Sequence, residues 1–292
     1  MSLRPAVATL CALLLAVCAT ARAGPGDAVT VPPRVVALAP HLAELAFTAG
    51  GGDRLVGTVE WSDWPAAAQR LPRIGDAFRL DVERIVELQA TDALAWGGGT
   101  PPAAVEQLRA LGIDVHVIET RTLAQIAEAL LHLGELLGSE AEAARAAEAF
   151  EQRLAAFERN EPEPRTIFYQ VSRRPLFTLG GRHVINEVLA LCGARNPFAD
   201  LDVEAAVVDP EAVLRVDPWA IVAGDVVGVD GELADWREVT ELRAVACGRL
   251  DLVDPALLVR PTPRILDGAE ALCGWMDRVS RDAGPACGTG PG

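Results

Sequence analysis

From Arg34 onward, short apolar runs alternate with stretches of helical periodicity, and this alternation restricts the fold more than any other feature of the chain. Brief apolar runs bounded by Gly, Pro or Asp suit strands covered on both faces, and the periodic stretches between them suit the helices that cover those strands. An α/β fold with parallel sheet is therefore expected. Strands are predicted at 35–39, 55–59, 93–96 and 115–118, with helices near 40–49, 81–88, 102–111 and 122–137. A second set follows, with strands at 166–171, 220–223 and 250–253 and helices near 183–192, 210–216 and 262–282.

The two sets are separated by an Ala/Glu/Arg-rich stretch that contains no Gly or Pro and opens with Ser139-x-x-Glu142, the pattern of a capping box. One long helix over 138–160 is predicted, ended by Glu-Pro-Glu-Pro-Arg because proline denies continued helix geometry. The expected organisation is an N-terminal α/β lobe at 34–137, a connecting helix, a C-terminal α/β lobe at 165–282 and a loose Gly/Pro-rich tail at 283–292. Two lobes joined in this way leave a cleft between them, the usual place for a ligand.

Residues 1–23 read as a cleaved secretory signal: Arg4, an apolar run over 6–19, then Ala21-Arg22-Ala23 before a Gly/Pro-rich segment. The apolar run is shorter than the ~20 residues of a spanning helix. Val17 stands before Cys18 where lipidation wants a small residue. Every one of the 26 basic residues is Arg, and 41 acids leave a net charge of −15, which excludes the electrostatic footprint of a nucleic-acid binder. Beyond the signal remain Cys192, Cys247, Cys273 and Cys287, which in an oxidising compartment allow three disulfide pairings. No Cys-x-x-Cys or His-x-x-x-His spacing occurs, and His41, His116, His132 and His183 are scattered, so no metal site is expected.

An internal echo is the most informative local feature. Asp81-Val-Glu83-Arg-Ile-Val-Glu-Leu precedes one apolar strand, and Asp209-Pro-Glu211-Ala-Val-Leu-Arg-Val precedes another, 128 residues later. Each reads as an Asp N-cap, a first-turn Glu, a short amphipathic helix and a buried strand. Two accounts of Glu83 and Glu211 stand side by side. Acids favour helix N-termini by a few tenths of a kcal/mol up to ~1 kcal/mol; alternatively, equivalent acids on two similar lobes present a paired docking surface.

Aromatic residues are scarce, yet Trp61, Trp64, Phe78, Trp96 and Trp236 fall where strands meet loops. Indoles there suit a large flat apolar ligand with a polar rim, against the ordinary alternative of inter-helix packing. Glycines 97–99 lack the spacing of a phosphate loop and read as a close-approach turn. No Gly-x-Ser-x-Gly elbow, His-Glu-x-x-His or nucleophile with an obvious base is present, so no enzyme is expected. Asp200, Asp202 and Glu204 read as a solvated acidic loop. His41, at a strand-to-helix turn with Glu44 one turn on, is placed either to face the cleft as an axial ligand or to serve at the surface or as a cap.

Three segments carry a family resemblance: Arg34-Val-Val-Ala-Leu-Ala-Pro-His-Leu-Ala-Glu-Leu-Ala-Phe, Leu55-Val-Gly-Thr-Val-Glu-Trp-Ser-Asp-Trp-Pro, and Leu80-Asp-Val-Glu-Arg-Ile-Val-Glu-Leu. They resemble the periplasmic binding proteins for iron-siderophores, haem and cobalamin, and the chain is similar to that class from about Arg34 to Met276. The Trp-Ser-Asp-Trp-Pro and Ala-Trp-Gly-Gly-Gly segments resemble the cobalamin branch more narrowly.

The resemblance implies two Rossmann-like lobes joined by a single long rigid helix, with a corrinoid held in the cleft as cargo rather than cofactor. It implies that Trp61, Trp96, Trp236, Phe78 and Arg260, just before Pro263-Arg264-Ile265, contact the ligand. It implies that Glu83 and Glu211 dock onto arginines of a membrane ABC permease, one per lobe, and that Cys192 pairs with Cys273. Cys247 and Cys287 have no counterpart in the class. Two departures matter: Ala77 stands where the class carries an aromatic beside Phe78, and Arg173 and Arg174 make a second-lobe loop more basic, which favours an anionic ferric siderophore. The expected function is a monomeric periplasmic solute-binding protein that delivers vitamin B12 or a related corrinoid to an ABC importer. The alternatives are a haem or ferric-siderophore binding protein of the same class and, more distantly, an exported α/β enzyme.

Overall fold

The computed structural model describes residues 32–77, 79–157, 163–225, 231–281 and 287. The expected signal at 1–23, Phe78, the predicted helix end at 158–160 and the tail other than Cys287 lie outside them.

The first half runs β1 (Val35–Ala37), α1 (Pro40–Thr48), β2 (Leu55–Thr58), α2 (Val82–Glu87), β3 (Asp92–Trp96), α3 (Pro102–Ala110) and β4 (Asp114–Ile118). Its strands form one parallel sheet in the order β2-β1-β3-β4. Every residue of β1 is fully buried, as a central strand covered on both faces requires. The chain leaves β1 towards β2 on one side and resumes at β3 on the other. The carboxyl ends of β1 and β3 therefore flank the reversal of strand order where open α/β sheets bind ligands. His41 follows β1 directly, and Trp96 ends β3.

Two antiparallel helices come next, α4 (Leu123–Leu137) and α5 (Glu140–Ala155), packed along their lengths. The capping box lies at the start of α4: Gln125 N–H donates to the Thr122 hydroxyl, and the Gln125 side chain accepts from Thr122 N–H. The box predicted at Ser139 does not form: the Ser139 N–H already donates to the Gly134 carbonyl at 2.8 Å, the Glu142 carboxylate pairs with Arg145 at 2.7 Å, and the Ser139 hydroxyl caps nothing. The predicted helix over 138–160 is α5, which starts at Glu140 and stops at Ala155. Gly138, left-handed at φ 71°, turns the chain between the two helices. Close to this turn, a Cβ on Gly134 would lie 2.4 Å from that of Ala143, so hydrogen alone fits where the two helices first meet.

The second half contains β5 (Arg165–Ser172), β6 (Phe177–Leu179), α6 (Ile185–Leu191), β7 (Ala194–Arg195), β8 (Ala205–Val207), α7 (Pro210–Val216) and β9 (Ala220–Gly224). It finishes with α8 (Ala234–Arg237), α9 (Arg243–Ala246), β10 (Leu250–Val253), α10 (Pro255–Leu258) and α11 (Ile265–Arg281). The sheet order is β10-β9-β5-β6-β8, with β7 pairing separately to β5. Strands β10, β9 and β5 are parallel, while β6 and β8 add an antiparallel margin that the sequence did not announce. Those strands are three residues each, too short for a readable period.

One apolar cluster runs from β1 and α1 through α4 and α5 to α6 and α11, taking in Leu42, Leu130, Phe150, Val188 and Leu272, and each half has a smaller cluster on the other face of its sheet, around Ile85 and Phe168. The Cys192–Cys273 disulfide fastens the end of α6 to α11, and a second bond joins Cys247 to Cys287. Gly134→Ala tests the α4–α5 crossing, because helix propensity alone would raise stability by up to ~1 kcal/mol. The expected outcome in denaturant melts is a loss of about 1–3 kcal/mol from overpacking, largely restored by a second change, Ala143→Gly.

Candidate ligand-binding cleft

An open cavity of about 510 Å³ lies between residues of the two halves. Trp61, Asp63 and Trp64 line it from the first half, and Asp225, Asp254, Pro255, Ala256, Arg260 and Arg264 from the second. Trp61 and Trp64 sit on the loop after β2, with 72% and 48% of their surfaces exposed. The Trp61 backbone is left-handed at φ 64°, a conformation that an aromatic residue adopts only when its surroundings impose it. They do so here: Ser62 is buried against the Thr58 hydroxyl at 2.8 Å, and Arg73 donates to the carbonyls of Val59 and Ser62 at 3.3 and 3.2 Å. Gln69 donates to the Asp63 carbonyl at 2.8 Å. The indoles are held outward on a fixed turn.

Each arginine of the cavity already has a carboxylate. Arg260 donates to Asp63 at 2.6 Å, bridging the two halves at the rim. Arg264 makes a two-pronged bond to Glu44 of α1, both contacts at 2.7 Å, and its guanidinium stacks 4.6 Å from the centre of the Trp64 ring. The Glu44 hydrogen bond pushes the Arg264 pKa up. Asp254 is spent on capping α10, accepting from Ala256 N–H at 2.8 Å. Trp64 is one of the loop aromatics that the sequence marks, whereas Glu44 and Arg264 carry only faint signals there, Glu44 one turn beyond His41 and Arg264 inside Pro-Arg-Ile.

Trp96 is partly buried at the carboxyl end of β3, and its backbone N–H donates to the Thr100 hydroxyl at 2.8 Å. A Cβ on Gly99 would lie 2.2 Å from the indole, so glycines 97–99 form a close-approach turn that makes room for the ring. His41 stands edge-on to this indole with ring centres 5.2 Å apart. It is buried and its Nε2 has no hydrogen-bond partner.

Trp236 goes elsewhere. It is buried in the core of the second half, edge-on to Phe168, with its indole N–H donating to the Gln170 side chain at 2.7 Å. The internal partner satisfies its one polar atom, which is why the residue stays inside. Arg173 is paired with Asp235, while Arg174, largely exposed, reaches the same carboxylate only at 3.6 Å, and neither arginine lines the cavity. Glu83 on α2 and Glu211 on α7 are exposed, and among the described residues neither has an ion-pair partner. Asp81 caps α2 by accepting from Arg84 N–H, whereas the Asp209 side chain caps nothing.

Burial pushes the His41 pKa down from 6.5 to about 3, with the nearby Arg260 and His183 adding to the effect. Burial likewise lowers His183 to about 4. The unfolded chain therefore takes up these protons at a higher pH than the folded one. Their contribution to stability is complete above pH 6.5 and is lost as pH falls towards 3, at about 1.4 kcal/mol per pH unit for His41. Thermal melts between pH 7 and 4 are expected to show falling stability, and His41→Gln is expected to flatten that slope.

The profile of the periplasmic binding protein family matches residues 35–256. A vitamin B12-binding protein of Vibrio cholerae is 35% identical over 246 residues, which cover 83% of this chain and 88% of that one. The crystal structure of a periplasmic vitamin B12-binding protein of Vibrio cholerae matches with a TM-score of 0.76 at 34% identity, over 85% of this chain and 98% of that one. A periplasmic haem-binding protein from Roseiflexus sp. RS-1 reaches a TM-score of 0.75 at 22% identity, over 85% and 99% of the two chains, a likeness of fold alone. With two open sheets, a cavity between their residues and a family match over most of its length, the chain belongs to the periplasmic binding protein family.

Proposed function

We propose that the protein binds vitamin B12 or a related corrinoid in this cleft and hands it unchanged to an ABC importer. The observation that carries this reading is the lining of the cavity: two projecting indoles beside arginines whose charge is already met by Asp63 and Glu44. Such a surface favours a broad, neutral ligand with polar edges over an anion, since a corrin ring needs flat apolar faces and hydrogen-bonding partners for its amides. The B12-binding relatives support the same choice.

Haem fits the lining less well. A bound haem iron takes an axial His, Tyr, Met or Cys; none of the residues that line the cavity is of those types, and His41, beside Trp96, is buried. An anionic siderophore would meet three carboxylates, Asp63, Asp225 and Asp254, against two arginines that are already paired.

The working compartment in this reading is the periplasm, with residues 1–23 removed as the export signal, and the protein acts as a monomer. Trp61 and Trp96 stack on or border the corrinoid, Arg260 bonds its rim, and Phe78, outside the described residues, is assigned to the same ligand. Glu83 and Glu211 meet arginines of the permease, one on each lobe. Helix α5 limits the lobes to small relative motions.

Titration of the purified protein with cyanocobalamin is expected to give one-to-one binding with quenching of tryptophan fluorescence, and Trp61→Ala to weaken it by about tenfold. Silence towards cyanocobalamin, with binding of haem or a ferric siderophore in its place, would overturn the assignment. The double variant Glu83→Ala/Glu211→Ala is expected to keep its cobalamin affinity and to dock weakly on the importer.

A further inference from the structure

The echo between α2 and α7 extends past the two acids. Counting from Asp81 and Asp209, the residue four places on is Ile85 in one lobe and Val213 in the other, and both are fully buried. The next residue is Val86 or Leu214, and both face solvent, with 52% and 42% of their surfaces exposed. Val86 lies three residues beyond Glu83, and Leu214 three beyond Glu211, so each aliphatic side chain neighbours the acid on its own helix surface. Single exposed aliphatic residues are ordinary on a protein surface. A pair at the same offset from equivalent acids, on equivalent helices of two lobes, is a repeated pattern.

Resting on the docking role proposed for Glu83 and Glu211, we propose that Val86 and Leu214 are the apolar half of the same footprint. Each lobe then presents an acid and an aliphatic side chain one turn apart. The partner that fits is a surface of the importer's permease that offers, twice, a basic residue beside an apolar patch. Charge alone makes a poor anchor, because exposed ion pairs add little affinity and are screened by salt. Acids speed and orient encounter, whereas apolar groups removed from water lengthen the life of the complex. On α2 the adjacent Arg84 is occupied by Glu87 at 2.8 Å, which leaves Glu83 available to an outside cation.

The test uses the cognate importer in lipid nanodiscs and the full binding protein loaded with cyanocobalamin. Val86→Thr/Leu214→Gln is expected to raise the docking Kd by on the order of tenfold, mainly through faster dissociation, with unchanged cobalamin affinity and melting temperature. Glu83→Ala/Glu211→Ala is expected to slow association and to remove most of its salt dependence. Should the aliphatic variant dock like the parent while the acid variant is impaired, the inference is wrong and the docking role of the acids stands. If the acid variant also docks like the parent, the role given to both pairs fails. Were the first aliphatic variant to melt early, Val86→Ala/Leu214→Ala in the same assay decides the question in the same way.

Discussion

The pairing of Glu44 with Arg264 governs the relation between the two halves. Glu44 is almost completely buried on α1, and a carboxylate so placed is costly unless its charge is met and its oxygens are bonded. Arg264, just ahead of α11, meets both oxygens at once. Such a pair adds little stability over a well-packed apolar substitute, but loss of one member strands a buried charge at about 3–5 kcal/mol. Its consequence is positional: only one arrangement of α1 against α11 satisfies both groups. Trp64 stacks on the same guanidinium, so the contact that sets the halves also sets one indole of the cavity.

Charge compensation holds for both arginines that line the cavity and recurs elsewhere in the chain. Arg260 and Arg264 in the cavity are met by Asp63 and Glu44; outside it, Arg173 is met by Asp235, and Arg121 by Glu204 from the opposite half at 2.8 Å. A chain with 26 arginines and no lysine thus offers bidentate donors to its own carboxylates and leaves little unanswered positive charge around the cavity. Recognition then falls to shape, stacking and neutral hydrogen bonds, which is the physical content of the preference for a corrinoid over an anionic siderophore.

The sequence was legible where period and length reinforced each other. The strands at β1, β3 and β4 and helices α3, α4 and α7 fall within two residues of their predicted ends, because each is an apolar run or amphipathic stretch closed by a turn residue. Strands β6 and β8 escaped, since three residues carry no period and their pairing is fixed by distant partners. The Ser139 box failed because the preceding helix already takes the Ser139 N–H through the Gly134 carbonyl, a bond that the local pattern cannot reveal. Among site residues, Trp61 and Arg260 come together at the cavity, whereas Trp236 looked identical in sequence and is buried. A tryptophan beside a loop and a tryptophan beneath one differ only in whether a polar partner waits inside, here Gln170, and that depends on the fold.

The contacts between the halves are graded from base to mouth. At the base lie the continuous apolar core and the buried Glu44–Arg264 pair, and Glu187 of α6 accepts from Leu123 N–H at 2.6 Å at the start of α4. Arg153 of α5 reaches Asp267 and Glu270 of α11 at 2.7 and 3.1 Å. At the mouth stands Asp63–Arg260, whose carboxylate is half exposed, and an exposed pair of this kind is worth at most about 1 kcal/mol. Opening the rim therefore breaks a weak contact, while separating the halves at their base would expose the core and a buried charge. In the proposed reading, the same gradient admits a bulky ligand at the rim without parting the base of the two halves.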